Sequence, residues 1–226
     1  MGQNQVFSPW SNPNNQMASG GTTKFGFELT NLSSGICTLN LYVNTSENAS
    51  PSKPQNVRTS GLSGEPTILW DANTEPDISS YKVYRSINNG TYQLIADNVT
   101  GTSASDNLKS IISTIQNVKY KIKAKDSQNL LSLDSEPTTI NFTQISGGTI
   151  SSNTTWSRNM VVTGNVTVTS GATLTINTGT QIYFSGGAYL SITNYGTLTA
   201  NGTSASPILF DFISSNATTQ NGIKFN

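Results

Sequence analysis

Histidine is absent from the 226 residues, and cysteine occurs once, as Cys37. The lack of histidine excludes histidine-based catalysis and histidine metal ligands, and the lone cysteine excludes a disulfide within the chain. Charged residues are 11% of the sequence and sum to zero net charge, so no basic stripe predicts a nucleic-acid partner. No apolar run reaches the roughly 18 residues of a membrane span, so none is predicted.

Serine, threonine and asparagine take the place of the missing charged and apolar residues. The chain contains 31 Ser, 31 Thr and 26 Asn, whereas apolar residues account for 34%. Threonine suits an exposed pleated surface, and asparagine and glycine suit tight turns. Eight Tyr and eight Phe, together with the zero net charge, argue against disorder. The composition therefore predicts an all-β protein of extracellular type.

Short apolar–polar–apolar triplets recur every eight residues between positions 166 and 200, with turn formers such as Gly171 and Gly179 between them. This is the period-2 pattern of half-buried strands, and its regular spacing indicates units that stack on one another. The residues predicted to point inwards are Val166, Val168, Leu174, Ile176, Ile182, Phe184, Leu190, Ile192, Leu198, Ile208 and Phe210. The triplets are Val166-Thr167-Val168, Leu174-Thr175-Ile176, Ile182-Tyr183-Phe184, Leu190-Ser191-Ile192 and Leu198-Thr199-Ala200.

Between positions 54 and 142, strand patterns follow one another at the spacing of a β-sandwich. Residues 111–115 fit either a short helix or a strand. Strands are predicted at residues 55–59, 67–72, 80–87, 92–96, 103–106, 118–125 and 138–142.

Several motifs in this segment, taken together, resemble a fibronectin type III domain. Trp70 matches the core tryptophan of the family's second strand, and Tyr120 matches its tyrosine-corner position. Pro54-x-x-Val57 resembles the opening strand and Tyr81-Lys82-Val83-Tyr84-Arg85 the third strand. The resemblance implies an immunoglobulin-like (fibronectin type III) β-sandwich at residues 51–143. No Arg-Gly-Asp tripeptide is present, so integrin-type binding has no support.

Residues 1–50 are predicted to be a polar lead followed by the last strands of a preceding immunoglobulin-like domain. No element is predicted in residues 1–22, and strands are predicted at 25–29 and 38–43. The spacing of Leu32, Cys37, Leu39 and Leu41 repeats that of Ile115, Tyr120, Ile122 and Ala124. Cys37 is expected to be a buried structural residue rather than a reactive thiol.

From residue 143 onwards only Arg158, Asp211 and Lys224 are charged. The run from Thr155-Trp156 through the triplets resembles the opening of a right-handed parallel β-helix of the pectin-lyase-like superfamily. Three strands of about eight residues make coils of about 24, stacked about 4.8 Å apart. The resemblance implies the N-terminal coils of a truncated β-helix at residues 148–226. Under three coils are expected, with an unpaired edge through which molecules self-associate.

No catalytic, cofactor-binding or metal-binding residue is assigned. Pectin-lyase-like enzymes, as the resemblance implies, use clustered acidic and basic residues outside the coils, but the repeat offers one lone acid, Asp211. Asp71, Glu75 and Asp77 surround one loop without the regular spacing of a calcium loop. They are interpreted as turn and cap residues, and Asp106 is interpreted in the same way.

Two further groups of side chains, three tyrosines and a row of lysines, bear on ligand binding. Tyr183, Tyr189 and Tyr195 are predicted to be exposed aromatics, but no cluster of them supports a sugar-stacking platform, and Tyr189 and Tyr195 fall at turn positions. Lysines at 119, 121, 123 and 125 alternate along one predicted strand, and they are interpreted as its solvent-facing side.

The sequence thus predicts an immunoglobulin-like sandwich followed by a parallel β-helix. The expected function is a non-catalytic adhesion, carbohydrate- or matrix-binding and spacer region of a secreted or surface-anchored bacterial multidomain protein. The alternative is the N-terminal part of a β-helical polysaccharide lyase or glycoside hydrolase whose catalytic coils lie beyond residue 226. The expected partner is an extracellular polysaccharide or another surface ligand, and no cofactor is expected. The expected location is extracellular or at the cell surface, although no signal peptide is visible.

Overall fold

The computed structural model describes residues 50–193, 195–213 and 222–226, together with the backbone of three strands nearer the N-terminus. Within these residues the chain is all-β, with 21 strands and one short 3-10 turn at Ile112–Thr114. No helix in the described part of the chain is long and apolar enough to cross a membrane.

The three N-terminal strands form one antiparallel sheet in the order β1 (Val6–Phe7), β2 (Phe25–Ser33) and β3 (Ile36–Val43). β2 and β3 contain the two predicted strands and pair with Leu32 opposite Cys37. β1 corrects the prediction that residues 1–22 hold no element, because two apolar residues are too few to give a periodic signal. The predicted burial of Cys37 lies outside the described side chains. The assignment of residues 1–50 to a preceding domain stays a prediction.

Residues 58–141 form two antiparallel sheets, one ordered β4–β5–β8 and the other β10–β9–β6–β7. Every strand predicted in this segment overlaps an observed one, and residues 112–114 of the ambiguous stretch form the 3-10 turn. β4 begins later than predicted because Asn56, at φ 53°, interrupts the extended backbone. The strands are β4 Arg58–Leu62, β5 Glu65–Leu69, β6 Ile78–Ile87, β7 Gln93–Val99, β8 Ser103–Ser105, β9 Asn117–Asp126 and β10 Thr138–Asn141.

The core of the sandwich contains the two aromatic residues that the sequence singled out. Trp70 is 2% exposed, and its ring meets that of Tyr81 edge-on with the centroids 5.3 Å apart. Tyr120 is completely buried. Its hydroxyl donates to the Asp106 carboxylate at 2.8 Å, whereas a tyrosine corner would bond to the main chain.

Asp106 does more than the turn role predicted for it. Its carboxylate accepts the N–H of Asn107 at 2.9 Å, as a turn residue would. It also accepts two hydrogen bonds from the Arg85 guanidinium, at 2.9 and 3.0 Å, in addition to that of Tyr120. Burial, reinforced by the negative charge of Asp106, raises the pKa of the Tyr120 hydroxyl. Asp106 therefore joins the two sheets of the sandwich from within.

Residues 143–225 wind into a parallel β-helix with three sheets. Sheet A contains β11–β14–β17–β20, sheet B contains β12–β15–β18–β21, and sheet C contains β13–β16–β19. The strands are β11 Thr143–Ile145, β12 Gly148–Ile150, β13 Thr154–Trp156, β14 Asn159–Val162, β15 Val166–Val168, β16 Thr173–Ile176, β17 Gln181–Phe184, β18 Tyr189–Ile192, β19 Thr197–Ala200, β20 Leu209–Phe212 and β21 Gly222–Phe225.

The predicted inward positions are confirmed. Register places Val166 beside Leu190 and Leu174 beside Leu198, so that like residues stack from coil to coil. Eight of the eleven predicted positions are buried, and the other three, Leu198, Ile208 and Phe210, pack against the same core while staying partly exposed. The apolar triplets therefore supply the interior of the β-helix.

The coil length varies more than the eight-residue beat predicts. Val166 and its partner Leu190 are 24 residues apart, but Gly148 pairs with Val166 and Tyr189 pairs with Gly222 at other separations. Parallel pairing begins at Thr143, before the predicted start of the β-helix at residue 148. The described residues contain three coils of three strands and two strands of a fourth, which corrects the expectation of under three. The first coil has short turns between its strands.

The sandwich packs on the outer face of sheet A, and this contact is called the joint below. Val161 and Tyr183 occupy the outward middle positions of β14 and β17, yet both are completely buried. They belong to the same apolar core as Ile112 and Ile115 of the sandwich. One hydrophobic core thus runs from the sandwich to the β-helix.

Hydrogen bonds, together with an ion pair between Lys109 and Asp211, surround the apolar part of the joint. The Tyr183 hydroxyl accepts the N–H of Gly64 at 2.8 Å and donates to Gln181 Oε1 at 2.7 Å. Gly64 is required by this approach, since a Cβ there would lie 2.8 Å from the tyrosine ring. Gln144 Nε2 donates to the main-chain carbonyl of Ile115 at 2.6 Å. The two modules are therefore held in one orientation.

We predict that Leu190→Asp disrupts the β-helix. Leu190 is fully buried between Val166 and Ile223, so the variant places an unpaired carboxylate in the core at a cost of about 3 kcal/mol or more. Thr175→Asp, at an outward and half-buried position, is the control and should change the stability by about 0.5 kcal/mol or less. Thermal melting measures both, and equal melting temperatures for the two variants would refute the inward assignment.

We also predict that Tyr183→Phe weakens the joint. The ring stays in place, but the buried N–H of Gly64 loses its acceptor, which should lower the free energy of unfolding by about 1–3 kcal/mol. Urea denaturation measures this. Tyr189→Phe is the matched control, since the half-buried Tyr189 makes its contact through the ring face and should lose about 0.5 kcal/mol or less. Equal losses would show that the hydroxyl of Tyr183 contributes nothing to the joint.

Candidate functional site

The three outer faces of the β-helix differ in what covers them. Sheet A lies under the sandwich. On sheet B, Ser191 is 3% exposed and accepts a hydrogen bond from Asn226 Nδ2 at 2.9 Å. Beside it, the Lys224 ammonium lies 3.7 Å from the centroid of the Tyr189 ring. Sheet C presents side chains that are exposed or half-buried, and it is the face best placed to meet a large ligand.

Threonines on the outer side of sheet C are aligned from coil to coil, and they are called the threonine face. They occupy the outward positions because the apolar residues between them fill the core. Stacked partners lie about 4.8 Å apart, and neighbours on one strand lie about 6.6 Å apart. The result is a regular, uncharged grid of hydroxyl and methyl groups. The aligned sets are Thr155, Thr175 and Thr199, and Thr173 and Thr197.

A cleft of about 550 Å³ opens beside the threonine face. Thr175 and Thr199 line it, and the turns that follow β16 and β19 add Asn177 and Asn201. Arg158 borders the same cleft and is the only charged residue among those that line it in the described structure. The cleft is thus rich in hydroxyl and amide groups around one cation.

Arg158 adopts an unusual backbone conformation. Its φ is 67°, in the left-handed region that long side chains rarely enter, and such strain is often found at functional positions. The Arg158 carbonyl accepts the N–H of Gln181 at 2.8 Å, which anchors the residue to β17. Its side chain is exposed, and no acidic residue within the described ranges forms an ion pair with it. The guanidinium is therefore available to an external anion.

A second cleft, of about 320 Å³, lies where the sandwich meets the β-helix. Arg158 borders this cleft too. Ser63, Asn159 and Gln181 line it, and Gln181 Oε1 accepts the N–H of Ser63 at 2.7 Å as part of the joint. Arg158 therefore stands between two polar clefts, and the shape of the second depends on the packing of the modules.

The side chains that line these clefts are suited to binding a ligand. A guanidinium can donate two parallel hydrogen bonds to a carboxylate, and the amides and hydroxyls can pair with sugar hydroxyls. General acid–base catalysis would need a titratable acid or base close to the reacting atoms. Neither cleft has a carboxylate among its described lining residues.

Asp211, the lone acid of the repeat, belongs to the joint. It lies in register beside Tyr183 on the covered face of sheet A. Its carboxylate is 3.1 Å from the Lys109 ammonium, which also lies 2.9 Å from Glu65. The hydrogen bonds that the Lys109 ammonium donates to the carboxylates of Glu65 and Asp211 raise the pKa of Lys109. Asp211 thus pairs with the sandwich, a partner that the sequence pattern around Phe210 and Phe212 could not reveal.

The acids of the 71–77 loop hold the turn by hydrogen bonds. Glu75 accepts the main-chain N–H of Ser52 at 2.5 Å and Asn73 Nδ2 at 3.2 Å. Burial alone would raise the pKa of Glu75, but the hydrogen bonds from Ser52 and Asn73 outweigh it and lower the pKa to about 2. Asp71 accepts Asn56 Nδ2 at 2.6 Å, and that bond is the main cause of its lowered pKa.

Metal ligands do not come together around these acids. Asp77 contributes its main-chain carbonyl, which accepts the N–H of Ser127 at 2.9 Å. Within the part of the chain that the structure describes, no three acidic or cysteine side chains gather as possible metal ligands.

The three tyrosines that were predicted to be exposed differ in how far the structure buries them. The prediction that Tyr183 is exposed is wrong, because the sandwich covers the outward positions of sheet A. Tyr189 is half-buried beneath Lys224. Tyr195 is 94% exposed and keeps an open ring.

Sequence reasoning missed the threonine face and Arg158 as a site. The threonines were visible as the middle residues of the triplets, but their alignment needed the register between coils. Arg158 was visible as an isolated cation in an almost uncharged segment. Its position between two clefts needed the packing of the sandwich.

The family model described as "Pectate-lyase like beta helix domain" matches residues 148–223, which is most of the β-helix and less than half of the chain. Among curated proteins, none matches the chain significantly.

Solved structures resemble different parts of the chain. An Fn3-like protein from Clostridium thermocellum is 26% identical with a TM-score of 0.33, over 40% of this chain and 91% of that one. A two-domain fibronectin type III segment of chicken tenascin is 13% identical with a TM-score of 0.33, over 53% and 63%. Pectate lyase PelI from Erwinia chrysanthemi, in complex with tetragalacturonic acid, is 13% identical with a TM-score of 0.31, over 75% and 76%. Together, the family match and the sheets establish an all-β chain with a parallel β-helix.

Proposed function

We propose that this chain is a non-catalytic polysaccharide-binding and spacer region of a secreted or surface-anchored bacterial multidomain protein. Its binding surface is the threonine face together with the cleft beside Arg158. The observation that carries the proposal is the isolated, unpaired Arg158 guanidinium at the edge of a long uncharged grid of hydroxyl and amide groups.

The threonine face suits a polymer because it is itself periodic. Each coil repeats the same hydroxyl about 4.8 Å further along the axis, so a chain of sugars lying along the β-helix meets similar partners at successive coils. Asn177 and Asn201 follow β16 and β19 at equivalent positions in successive coils, and they add amide donors and acceptors. Many weak, equivalent contacts of this kind favour a long ligand over a single sugar.

Arg158 sets the preference for an acidic sugar. Its fork of donors matches a carboxylate, and no described acid competes for it. The family match to a pectate-lyase-like β-helix supports a carbohydrate ligand of this chemistry. PelI was solved with tetragalacturonic acid, an acidic sugar chain, which makes polygalacturonate a suitable first probe.

The spacer role depends on the joint. A single apolar core links the two modules, and Lys109 bridges Glu65 of the sandwich to Asp211 of the β-helix. Packed in this way, the sandwich presents the binding face in a fixed direction instead of swinging on a linker.

A second candidate function is the N-terminal part of a β-helical polysaccharide lyase. The match of residues 148–223 to the pectate-lyase-like family model favours it. Incubation of the chain with polygalacturonate and calcium, followed by the ultraviolet absorbance of unsaturated products, separates the two functions. Sustained product formation that is lost in Arg158→Asn would favour the lyase and overturn the non-catalytic assignment.

We predict that Arg158→Asn weakens binding to polygalacturonate about 10-fold or more. Asparagine tolerates the left-handed backbone, so the variant removes the guanidinium without new strain, and a charged hydrogen bond contributes about 1.5–3 kcal/mol. Isothermal titration calorimetry measures the affinity at fixed salt. Binding to a neutral glucan should change little.

Two controls accompany this prediction. Lys53→Gln removes a cation from the sandwich that pairs with Glu136, and it should leave the affinity unchanged. Thr175→Val combined with Thr199→Val should weaken binding to acidic and neutral polymers alike, whereas Thr167→Val on sheet B should not. Equal affinities for Arg158→Asn and the parent chain would contradict the proposed site.

A further inference from the structure

The outer face of the four-stranded sheet of the sandwich concentrates positive charge, although the sandwich as a whole is neutral. Residues 51–143 contain nine basic and nine acidic residues. Five lysines share this outer face, with Asp97 and Asp134 as the only carboxylates within 4.0 Å of their ammonium groups among the described residues. These lysines, called the lysine face, are Lys82, Lys119, Lys121, Lys123 and Lys125.

The register of the strands brings like charges together. Lys82 of β6 lies directly opposite Lys123 of β9, and directly opposed like charges destabilise a sheet. Lys119 to Lys125 lie at alternate positions of β9, about 6.8 Å apart, so the row is about 20 Å long. The like charges in this row repel one another, and a bound polyanion would neutralise them.

Neutralisation within the chain is incomplete. Lys82 pairs with Asp97 at 2.7 Å, while Lys121 and Lys123 share Asp134 at 2.6 and 3.5 Å. At one end of the row Lys125 donates to the uncharged amide of Asn98 at 2.5 Å. At the other end Lys119 forms no ion pair with any described residue. The two ends of the row therefore carry the uncompensated charge.

The aromatic residues on this face hold the lysines in place. The Lys121 ammonium lies 4.1 Å from the centroid of the Tyr92 ring and 5.8 Å from that of Tyr84. With the Tyr92 ring occupied by a cation, a nucleic-acid base has no free platform there to stack on. Arg85, on the next strand, turns to Asp106 inside the sandwich and offers no guanidinium to a phosphate.

We propose that the lysine face binds a linear polysaccharide whose repeats carry a carboxylate or sulfate, with the polymer lying along β9. Lysines act as point charges and accept anions at varied angles, which suits a flexible polymer with regularly spaced charges. The surface is separate from the threonine face, because no residue of the lysine face takes part in the joint or lines either Arg158 cleft. The proposal does not depend on the function assigned to Arg158.

The test uses the full chain in the Arg158→Asn background, so that the cleft beside the threonine face makes no charged contact. Polygalacturonate and dextran sulfate are titrated at several salt concentrations, with uncharged dextran as the reference polymer. The lysine-face variant is Lys119→Gln combined with Lys125→Gln, and its control is Lys53→Gln combined with Arg58→Gln, two exposed cations elsewhere on the sandwich.

The lysine-face variant should bind the charged polymers about 10-fold or more weakly at low salt and show a shallower dependence of log affinity on log salt. The control pair should retain the affinity and the slope. The melting temperature of the lysine-face variant should stay the same or rise, because like charges are removed, and a purely structural role for these residues would lower it. Tight binding to one of the two charged polymers identifies the anionic group.

Two results would overturn the proposal. One is unchanged affinity for both charged polymers in the lysine-face variant. The other is tighter binding of a single-stranded oligodeoxynucleotide than of either polysaccharide, which would assign the surface to nucleic acid.

Discussion

Burial of the outer face of sheet A is the constraint on which the rest of the structure depends. A β-helix usually presents polar residues outwards, but here Val161 and Tyr183 occupy outward positions and must be kept from water. The sandwich meets this need with its own apolar residues, so that two modules share one core. The Tyr183 hydroxyl and Gln144 then satisfy polar main-chain groups that the contact would otherwise bury unpaired.

The joint also creates the smaller of the two clefts that Arg158 borders. The smaller cleft exists only because a sandwich surface stands against β14 and β17, and Arg158 lies at the turn where the β-helix leaves that contact. The residue is anchored through its carbonyl to β17, which is itself fixed by Tyr183. A change in the packing of the modules would thus alter the smaller cleft that Arg158 borders.

The local pattern of the sequence predicted the strands and the inward side chains, because both follow from the alternation of residues within a triplet. Leu190 and Ile182 needed no tertiary information. Tyr183 has the same kind of position as Thr175, and the sequence could not tell that one would be covered and the other open. Asp211 likewise pairs with Lys109, more than 100 residues away, through a contact that no period encodes. Site residues were missed where they depend on contacts between modules.

Zero net charge was a sound argument against a uniformly basic protein, but it concealed how the charges are distributed. In the sandwich, Glu65 pairs with Lys109 at the joint and Asp71 pairs with Arg58 beside the 71–77 loop. The lysines of β9 have too few acidic partners to neutralise their charge. In the β-helix, Asp211 pairs with Lys109 at the joint, and no acid within the described ranges pairs with Arg158. Because the modules form one packed body, the two proposed sites, the lysine face and the Arg158 cleft, have a fixed separation, and an anionic polymer long enough to reach both would gain from it.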